Sequence, residues 1–381
     1  MRIVVAPDSF KGSLSAMDVA IAMELGIKMV FTKAQVSKVP IADGGEGTVE
    51  ALVAVTGGRI IEQEVMGPLG DVVKASWGLL GDGKTAVIEM AAASGITLIP
   101  SDKRDPRLAT TYGTGQLISA ALDNGIEKII IGIGGSATND GGTGMAQALG
   151  AKFLDGQQQE LPLGGAALAQ LATIDLTQLD ERLAKVTLLV ACDVDNPLCG
   201  ARGASAVYGP QKGATKQMVA ELDQALQHYA TIATATTGKA VADRSGAGAA
   251  GGLGAGLLFF TQAQLRSGIE IVLEACDFAA IVKGADLVIT GEGSTDFQTA
   301  HGKAPVGVAQ QAKRYQVPVV CLSGGLGTGC DDVLQQGIDG LMSVVPGPMS
   351  LATCMEQAAE LVQAATARMC RLIKLGREMQ Q

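Results

Sequence analysis

Short, wholly apolar runs alternate along this chain with stretches of helical apolar spacing, and small or polar loops separate them. Ile3 to Ala6 is the first such run, the pattern of a strand buried on both faces. The loop PDSFKGS follows, and Ser15 with Asp18 three residues later reads as the cap of a helix carrying Val19 to Ile27. A second strand, residues 36–42, runs into the loop DGGEG and a helix from about Thr48. The same rhythm returns near the end of the chain. DLVIT at 286–290 reads as a strand entering the loop GEGSTD, with a helix from about Pro305. Residues 317–322 form a strand ending in SGG, residues 341–345 another, and a long helix starts near Leu351.

The middle has a different texture. Residues 59–90 read as antiparallel strands with turns at Gly67–Gly70 and Asp82-Gly83. Then come a helix near 115–123, a strand at 128–133, a glycine-rich loop with a helix, and a strand at 186–191. Residues 233–256, rich in Ala, Gly and Thr, read as a loop feeding a helix. The expected fold class is therefore α/β with two domains. One is a parallel-sheet domain made of both chain ends, residues 1–58 and 283–381. The other is an inserted mixed α/β domain, residues 59–282.

Composition supports this picture. At 381 residues two cores are expected. With 47% hydrophobic but only 3% aromatic residues, those cores are built from Ala, Val, Ile and Leu, and 51 glycines suit many tight strand ends. A formal charge of −9 without a Lys/Arg run excludes nucleic acid and anionic membrane as expected partners. Seven cysteines without a C-x-x-C pair point to reduced thiols rather than a zinc site or disulfide framework. The start, MRIVVAPDSF, is too short an apolar stretch for a secretory signal and is broken by Pro7 and Asp8, so a cytoplasmic protein is expected.

In an open parallel sheet, ligands sit beyond the carboxyl ends of the strands. Four candidate loops lie there: Asp8-Ser9, Asp43-Gly44-Gly45-Glu46, Gly291-Glu292-Gly293 and Ser323-Gly324-Gly325. Glycines leave backbone N–H groups open to an anion, and following helices add positive N-termini. For one such loop, turn chemistry is the better reading; four together favour a phosphate or metal-phosphate site. The insert adds Gly132–Gly142 (GIGGSATNDGG), Ala191–Pro197 with Asp193 and Asp195, Gly209–Thr215 with Lys212, and Ser245–Gly252, where Gly251 and Gly252 suggest a second anion nest.

Two motif matches are rejected. Gly78–Thr85, GLLGDGKT, fits the P-loop expression, yet the following AVIEM reads as a strand and Asp82-Gly83 as a hairpin turn. Gly246–Gly251, GAGAAG, fits the dinucleotide expression but follows polar residues instead of a strand.

Ten segments in order resemble the glycerate kinase type I family: APDSFKGSLSA (6–16), VPIADGGEGTVEA (39–51), GDGKTAVIEMAAASG (81–95), TYGTGQLI (111–118), IIIGIGGSATNDGG (129–142), VACDVDNPL (190–198), GASAVYGPQKGAT (203–215), GAGAAGGLGAGL (246–257), LVITGEG (287–293) and HGKAP (301–305). The family's usual G-E-G-R-I-D reads G-E-G-S-T-D here, with Ser294 and Thr295 in place of Arg and Ile. The resemblance implies phosphorylation of D-glycerate with ATP and Mg²⁺, with 2-phosphoglycerate as the favoured product over 3-phosphoglycerate. It also implies a Rossmann-like discontinuous domain and an active site in the cleft between two α/β domains. Two other classes stay open: an NAD-dependent hydroxy-acid dehydrogenase and a non-catalytic small-acid-binding protein.

Phosphoryl transfer needs positioning, charge neutralisation and a base near the attacking hydroxyl. Asp193 or Asp296 is the candidate base. Lys11, Lys212 and Lys303 are candidates to neutralise phosphate charge, and Asp43 and Glu46 to hold Mg²⁺. Gly134, Gly135 and Ser136 can present backbone donors, with Asp140 orienting substrate hydroxyls. Asp8, Ser9, Gly44, Gly45, Gly251, Gly252, Gly291 and Gly293 complete the candidate phosphate-binding set. For each residue taken singly, a helix cap or surface turn competes.

Overall fold

The computed structural model describes residues 1–379. Its strands are β1 (Arg2–Pro7), β2 (Gln35–Lys38), β3 (Arg59–Met66), β4 (Val72–Leu79), β5 (Thr85–Glu89), β6 (Lys128–Gly132), β7 (Lys152–Leu154), β8 (Thr173–Asp175), β9 (Thr187–Ala191), β10 (Gln264–Arg266), β11 (Leu287–Thr295), β12 (Val319–Leu326) and β13 (Gly340–Ser343). The chain divides into two compact units. The first holds Met1–Asp43, Glu50–Gly57 and the chain from Ile269 on; the second holds Gly44–Val49 and Gly58–Gly268. Residues 269–282, placed in the insert by the sequence reading, group with the first unit.

The first unit is built on a five-stranded sheet in the order β13-β12-β11-β1-β2. Every neighbouring pair is parallel. Ile3, Val5, Leu287 and Ile289 pack with Val19, Met23 and Ile27 of the helix Ala16–Lys28 and with Val362 and Ala365 of the helix Ala358–Glu378. Gly26 lets those two helices touch, since a Cβ there would collide with Gln363 O. The Ser15 hydroxyl caps the first helix, accepting from Asp18 N at 3.1 Å.

Three expectations for this unit are corrected. β2 is regular only to Lys38; Val39 and Ile41 still donate to Val5 O and Pro7 O, but Pro40 between them has no N–H to give. The stretches read as the loops GEGSTD and SGG are mostly strand. Glu292, Ser294 and Thr295 of β11 pair with Ser323, Gly325 and Leu326 of β12. Gly291 and Gly324 are there because the strands pass closely: a Cβ on either would collide with the facing backbone, at Leu322 O and Gly293 O. The final helix is interrupted, running Leu351–Glu356 and then Ala358–Glu378.

The second unit holds a six-stranded sheet, β10-β9-β6-β5-β4-β3. β3, β4 and β5 are antiparallel, whereas β5, β6, β9 and β10 run parallel. Gly78–Thr85 spans the end of β4, a turn with Gly83 at φ 68°, and the start of β5, so it is a hairpin as expected. Lys84 is exposed there and pairs with Glu127 at 2.8 Å. The residues before Gly246 are a turn, which matches the rejection of the dinucleotide motif. Trp77 of β4 is fully buried among Ile88, Ile129 and Ile131, and its Nε1 has no hydrogen-bond partner. Phe153, Tyr229, Phe259 and Phe260 meet in a second core; the rings of Phe153 and Phe260 stand edge to face at 5.7 Å. The stretch 233–256, read as a loop feeding a helix, is corrected at its start: the helix Lys216–Thr237 takes up residues 233–237 and stops at Gly238 with φ 71°.

Candidate functional site

In the second unit, the carboxyl ends of β5, β6 and β9 share one edge, and glycines let three chain segments meet there. A Cβ on Gly44 would collide with Ala191 at the end of β9, and one on Gly132 would collide with Gly44 O. Gly44 also has φ 91°, closed to most side chains. The turn Gly44–Val49 therefore lies directly on the strand ends. Val49 N donates to Glu89 Oε1 at 2.9 Å, which ties the turn to β5. Gly134 and Gly135 are exposed just beyond β6; a Cβ on Gly134 would lie 3.6 Å from Gly45 Cα. Glu46 is exposed on the turn.

Asp193 stands at the end of β9, exposed, and accepts from Gly268 N at 3.1 Å and 3.3 Å, where the helix Gly268–Ala275 begins. Asp195 is turned into an ion pair with Arg202 at 2.7 Å, and that hydrogen bond holds its carboxyl below the usual carboxylate range.

Lys212 is buried, and its ammonium donates to Ser136 Oγ and to Thr138 O, both at 2.7 Å. Burial lowers its pKa to about 7, against an opposing pull from Asp140. It clamps the glycine loop from behind.

Asp140 and the pair Gly251-Gly252 depart from their expected roles. Asp140 is fully enclosed, and its oxygens accept from Thr111 N and Oγ1 (both 2.8 Å), Gly142 N (3.1 Å) and Gly144 N (3.3 Å). It joins the starts of the helices Tyr112–Asp123 and Thr143–Ala148, leaving a substrate hydroxyl no access. Burial raises its pKa in spite of these donors. Gly251 and Gly252, at φ 68° and 91°, are buried against Thr138 and Gly141, so the expected nest is a packing junction.

In the first unit, Asp8 lies at the carboxyl end of β1 within reach of the charges of Asp43 and Glu292. Burial, Asp43 and Glu292 raise the Asp8 carboxyl to about 7, although Ser9 N donates to Asp8 Oδ1 at 2.6 Å. Glu292 is buried and accepts from Thr299 Oγ1 at 2.6 Å and Thr295 Oγ1 at 3.0 Å. Burial pushes its pKa up, while those hydroxyls and the Lys303 charge hold it down. Lys303 is the N-cap of the helix Ala304–Lys313. Lys11 is exposed on the turn after Asp8, its amide beside Gly293. Asp296 closes a turn, Oδ1 accepting from Gln298 N at 2.8 Å.

Among the described residues, no group of three or more His, Cys, Asp or Glu is arranged to hold a metal ion. All seven cysteines are free. His228 and His301 each hold a backbone carbonyl, of Leu171 and Phe297. No helix among the described residues is long and apolar enough to cross a membrane.

The family model for the glycerate kinase family matches residues 3–374. The chain belongs to the glycerate kinase family. A glycerate kinase of Bacillus subtilis is 57% identical to it, covering 100% of this chain and 99% of that one. The glycerate 2-kinase of Escherichia coli K12 is 50% identical over 99% of both. The crystal structure of a candidate glycerate kinase 2 from Salmonella typhimurium LT2 is similar at a TM-score of 0.92 and 51% identity, covering 99% of both chains. Membership of the family makes this chain an enzyme, a transferase of the kinase class. It sets aside the dehydrogenase and non-catalytic binding readings.

The sequence reading passed over several groups that this family member places at the two edges. Glu89 lies inside a segment already matched to the family, but a glutamate ending a strand carries no signal that it will hold a loop 40 residues away. Thr295, Thr299 and Ser323 form a hydroxyl network on Glu292, with Thr295 and Ser323 2.6 Å apart. Only the pairing of β11 with β12 brings them together.

Proposed function

We propose that this chain transfers the γ-phosphoryl group of ATP to D-glycerate, giving ADP and 2-phosphoglycerate. The observation that carries the reading is the family match over residues 3–374, joined by the meeting of glycine turns and Asp193 at one strand edge. Asp193 is the favoured base, because it is exposed at that edge while Asp296 is spent in a turn. It takes the proton of the attacking hydroxyl as the new P–O bond forms and the bond to the ADP oxygen breaks. The exposed glycines Gly134 and Gly135 suit a phosphate or carboxylate, and Lys303, whose charge reaches Glu292, is the candidate cation of the first unit together with the exposed Lys11.

Mg²⁺ binds through one or two carboxylates and keeps several waters, so Asp43, already crowding Asp8, fits it without a three-ligand cluster. The ion would neutralise phosphate charge. The 2-phospho product is favoured by the name of the Escherichia coli relative, glycerate 2-kinase.

A coupled assay of ADP release with D-glycerate, ATP and Mg²⁺ tests the reaction; no ADP from folded protein at millimolar substrate rejects it. Phosphorus NMR of the product tests the position. Coupling to one proton supports the 2-phosphate, and coupling to two protons rejects it.

A further inference from the structure

Glu292 of β11 is only 8% exposed, and its carboxylate is held on one side. Thr299 Oγ1 and Thr295 Oγ1 both donate to Oε1, at 2.6 Å and 3.0 Å. Each hydroxyl is braced from behind. Asp296 N donates to Thr299 Oγ1 at 3.2 Å. Ser323 Oγ lies 2.6 Å from Thr295 Oγ1, and since Thr295 spends its one proton on Glu292, Ser323 is the donor there. Two hydroxyls turned to donate to one oxygen suit an ionised carboxylate. Among the described residues, nothing donates to the other oxygen, Oε2. Nor is Oε2 sealed: the enclosed side-chain atoms without a partner are Trp77 Nε1, Arg104 Nε and Asn139 Oδ1. A largely buried carboxylate that keeps one oxygen unpartnered and open calls for a ligand from outside.

The neighbours say which kind. Pro7 pairs with Gly291, and Asp8 N donates to Gly291 O at 2.8 Å, so Asp8 and Glu292 leave adjacent parallel strands side by side. Ser9 N takes Asp8 Oδ1, and the charges of Asp43 and Glu292 both reach Asp8. Lys303 acts on Glu292 from the start of the helix Ala304–Lys313, but among the described residues no Lys or Arg forms an ion pair with Glu292 or Asp8. β11 itself offers no cation, because Ser294 stands where the resembled motif has Arg.

We propose that Glu292 is a Mg²⁺ ligand through Oε2, beside Asp8 and Asp43, and that Thr295 and Thr299 are the positioning residues that aim it. The ion's part in phosphoryl transfer rests on the reaction proposed above. Mg²⁺ is held by one or two carboxylates and completes its shell with water and substrate phosphate, so three protein ligands are not required. Hydroxyls on the non-ligating oxygen fix the carboxylate's orientation. The isoleucine of the resembled motif has no proton to donate, so Thr295 adds a hold on Glu292 that is particular to this sequence.

The test is binding of Mn²⁺, which stands in for Mg²⁺ at oxygen ligands, read by electron paramagnetic resonance on the full chain without nucleotide. ADP release with D-glycerate, ATP and Mg²⁺ is assayed in parallel. The wild type should bind Mn²⁺. Glu292→Gln keeps an oxygen for the two threonines and should weaken binding by more than about tenfold, and Thr295→Val by up to about tenfold. Thr295→Ser restores the hydroxyl and should recover most of that loss. Asp296→Asn removes another charge that reaches Glu292 and should keep the affinity within about twofold, since screening weakens an exposed charge that is not a ligand. Melting curves establish that each variant is folded, and if Glu292→Gln is insoluble, Glu292→Asp carries the comparison. A wild type that releases ADP but binds no Mn²⁺ overturns the role of Glu292 and leaves the reaction standing. Folded Glu292 and Thr295 variants with wild-type affinity overturn it too, as does an equal loss in Asp296→Asn. Mn²⁺ binding that depends on Glu292, without ADP release from D-glycerate, upholds the cation site and overturns the reaction.

Discussion

Replacing Asp8 with asparagine should stabilise the protein at neutral and alkaline pH and do little in acid. The native Asp8 carboxyl is raised from 3.8 to about 7, first by burial and then by Asp43, with Ser9 N opposing and Glu292 adding to the rise. A carboxyl whose folded pKa is raised favours folding when protonated. Stability is therefore fully present below the unfolded value and is lost as pH climbs toward the folded one. At about 1.4 kcal/mol per pKa unit, the whole shift corresponds to about 4 kcal/mol. Partial solvent access and relaxation reduce this to roughly 2 kcal/mol as a working expectation. Asparagine keeps an oxygen to accept from Ser9 N and removes the charge. Urea unfolding of both proteins between about pH 5.5 and about pH 8.5 reads the difference. The stabilisation by Asp8→Asn should grow through about pH 7 and then level off. A difference independent of pH, or a variant less stable than wild type at the alkaline end, would refute the argument that burial and like charge dominate at Asp8.

Asp193→Asn should lower kcat by about a hundredfold or more with a modest change in KM, whereas Asp296→Asn should cost about 1 kcal/mol of stability and leave kcat nearly normal; near-normal kcat in both removes Asp193 as the base. Lys84→Ala should keep kcat within about twofold because Lys84 sits on a hairpin; a loss of several orders of magnitude in folded protein restores the P-loop reading. Gly251→Ala should destabilise by more than about 2 kcal/mol or abolish soluble expression, since it adds a collision with Thr138 O to a φ of 68°. Gly47→Ala, at φ 89° with open space around it, should cost only about 1 kcal/mol, so comparable losses by thermal melting contradict the packing argument.

Periodicity made the parallel sheet legible, because strands such as Ile3–Ala6 and DLVIT are short apolar runs closed at once by turn residues and followed by helical spacing. The Lys84 hairpin was legible for a similarly local reason, the Asp-Gly turn. What escaped the reading depended on partners distant in sequence. Gly291 and Gly324 look like loop glycines until β11 and β12 are paired, when both prove to be places where backbones nearly touch. Gly251 looks like an anion nest until Thr138 is found where its side chain would be. Asp140 and Lys212 were picked out as polar residues among glycines; Asp140 lies on the glycine loop and Lys212 donates to it from another segment. Their burial, which turns them from substrate contacts into supports, is a property of the packed core that no local window contains.

The single tryptophan gives this protein a built-in optical reporter with a defined address. Trp77 is sealed in the core of the inserted unit, and the other unit has no tryptophan. Selective indole excitation therefore gives blue-shifted emission while that core is intact and a red shift when water enters it. Melting confined to the sheet formed by the two chain ends, with the Trp77 core intact, would leave the emission unshifted. Far-ultraviolet circular dichroism, which sums over all helices, follows both units. Coincident curves from the two methods would mark one cooperative transition, and separated curves would give each unit its own melting temperature without any label.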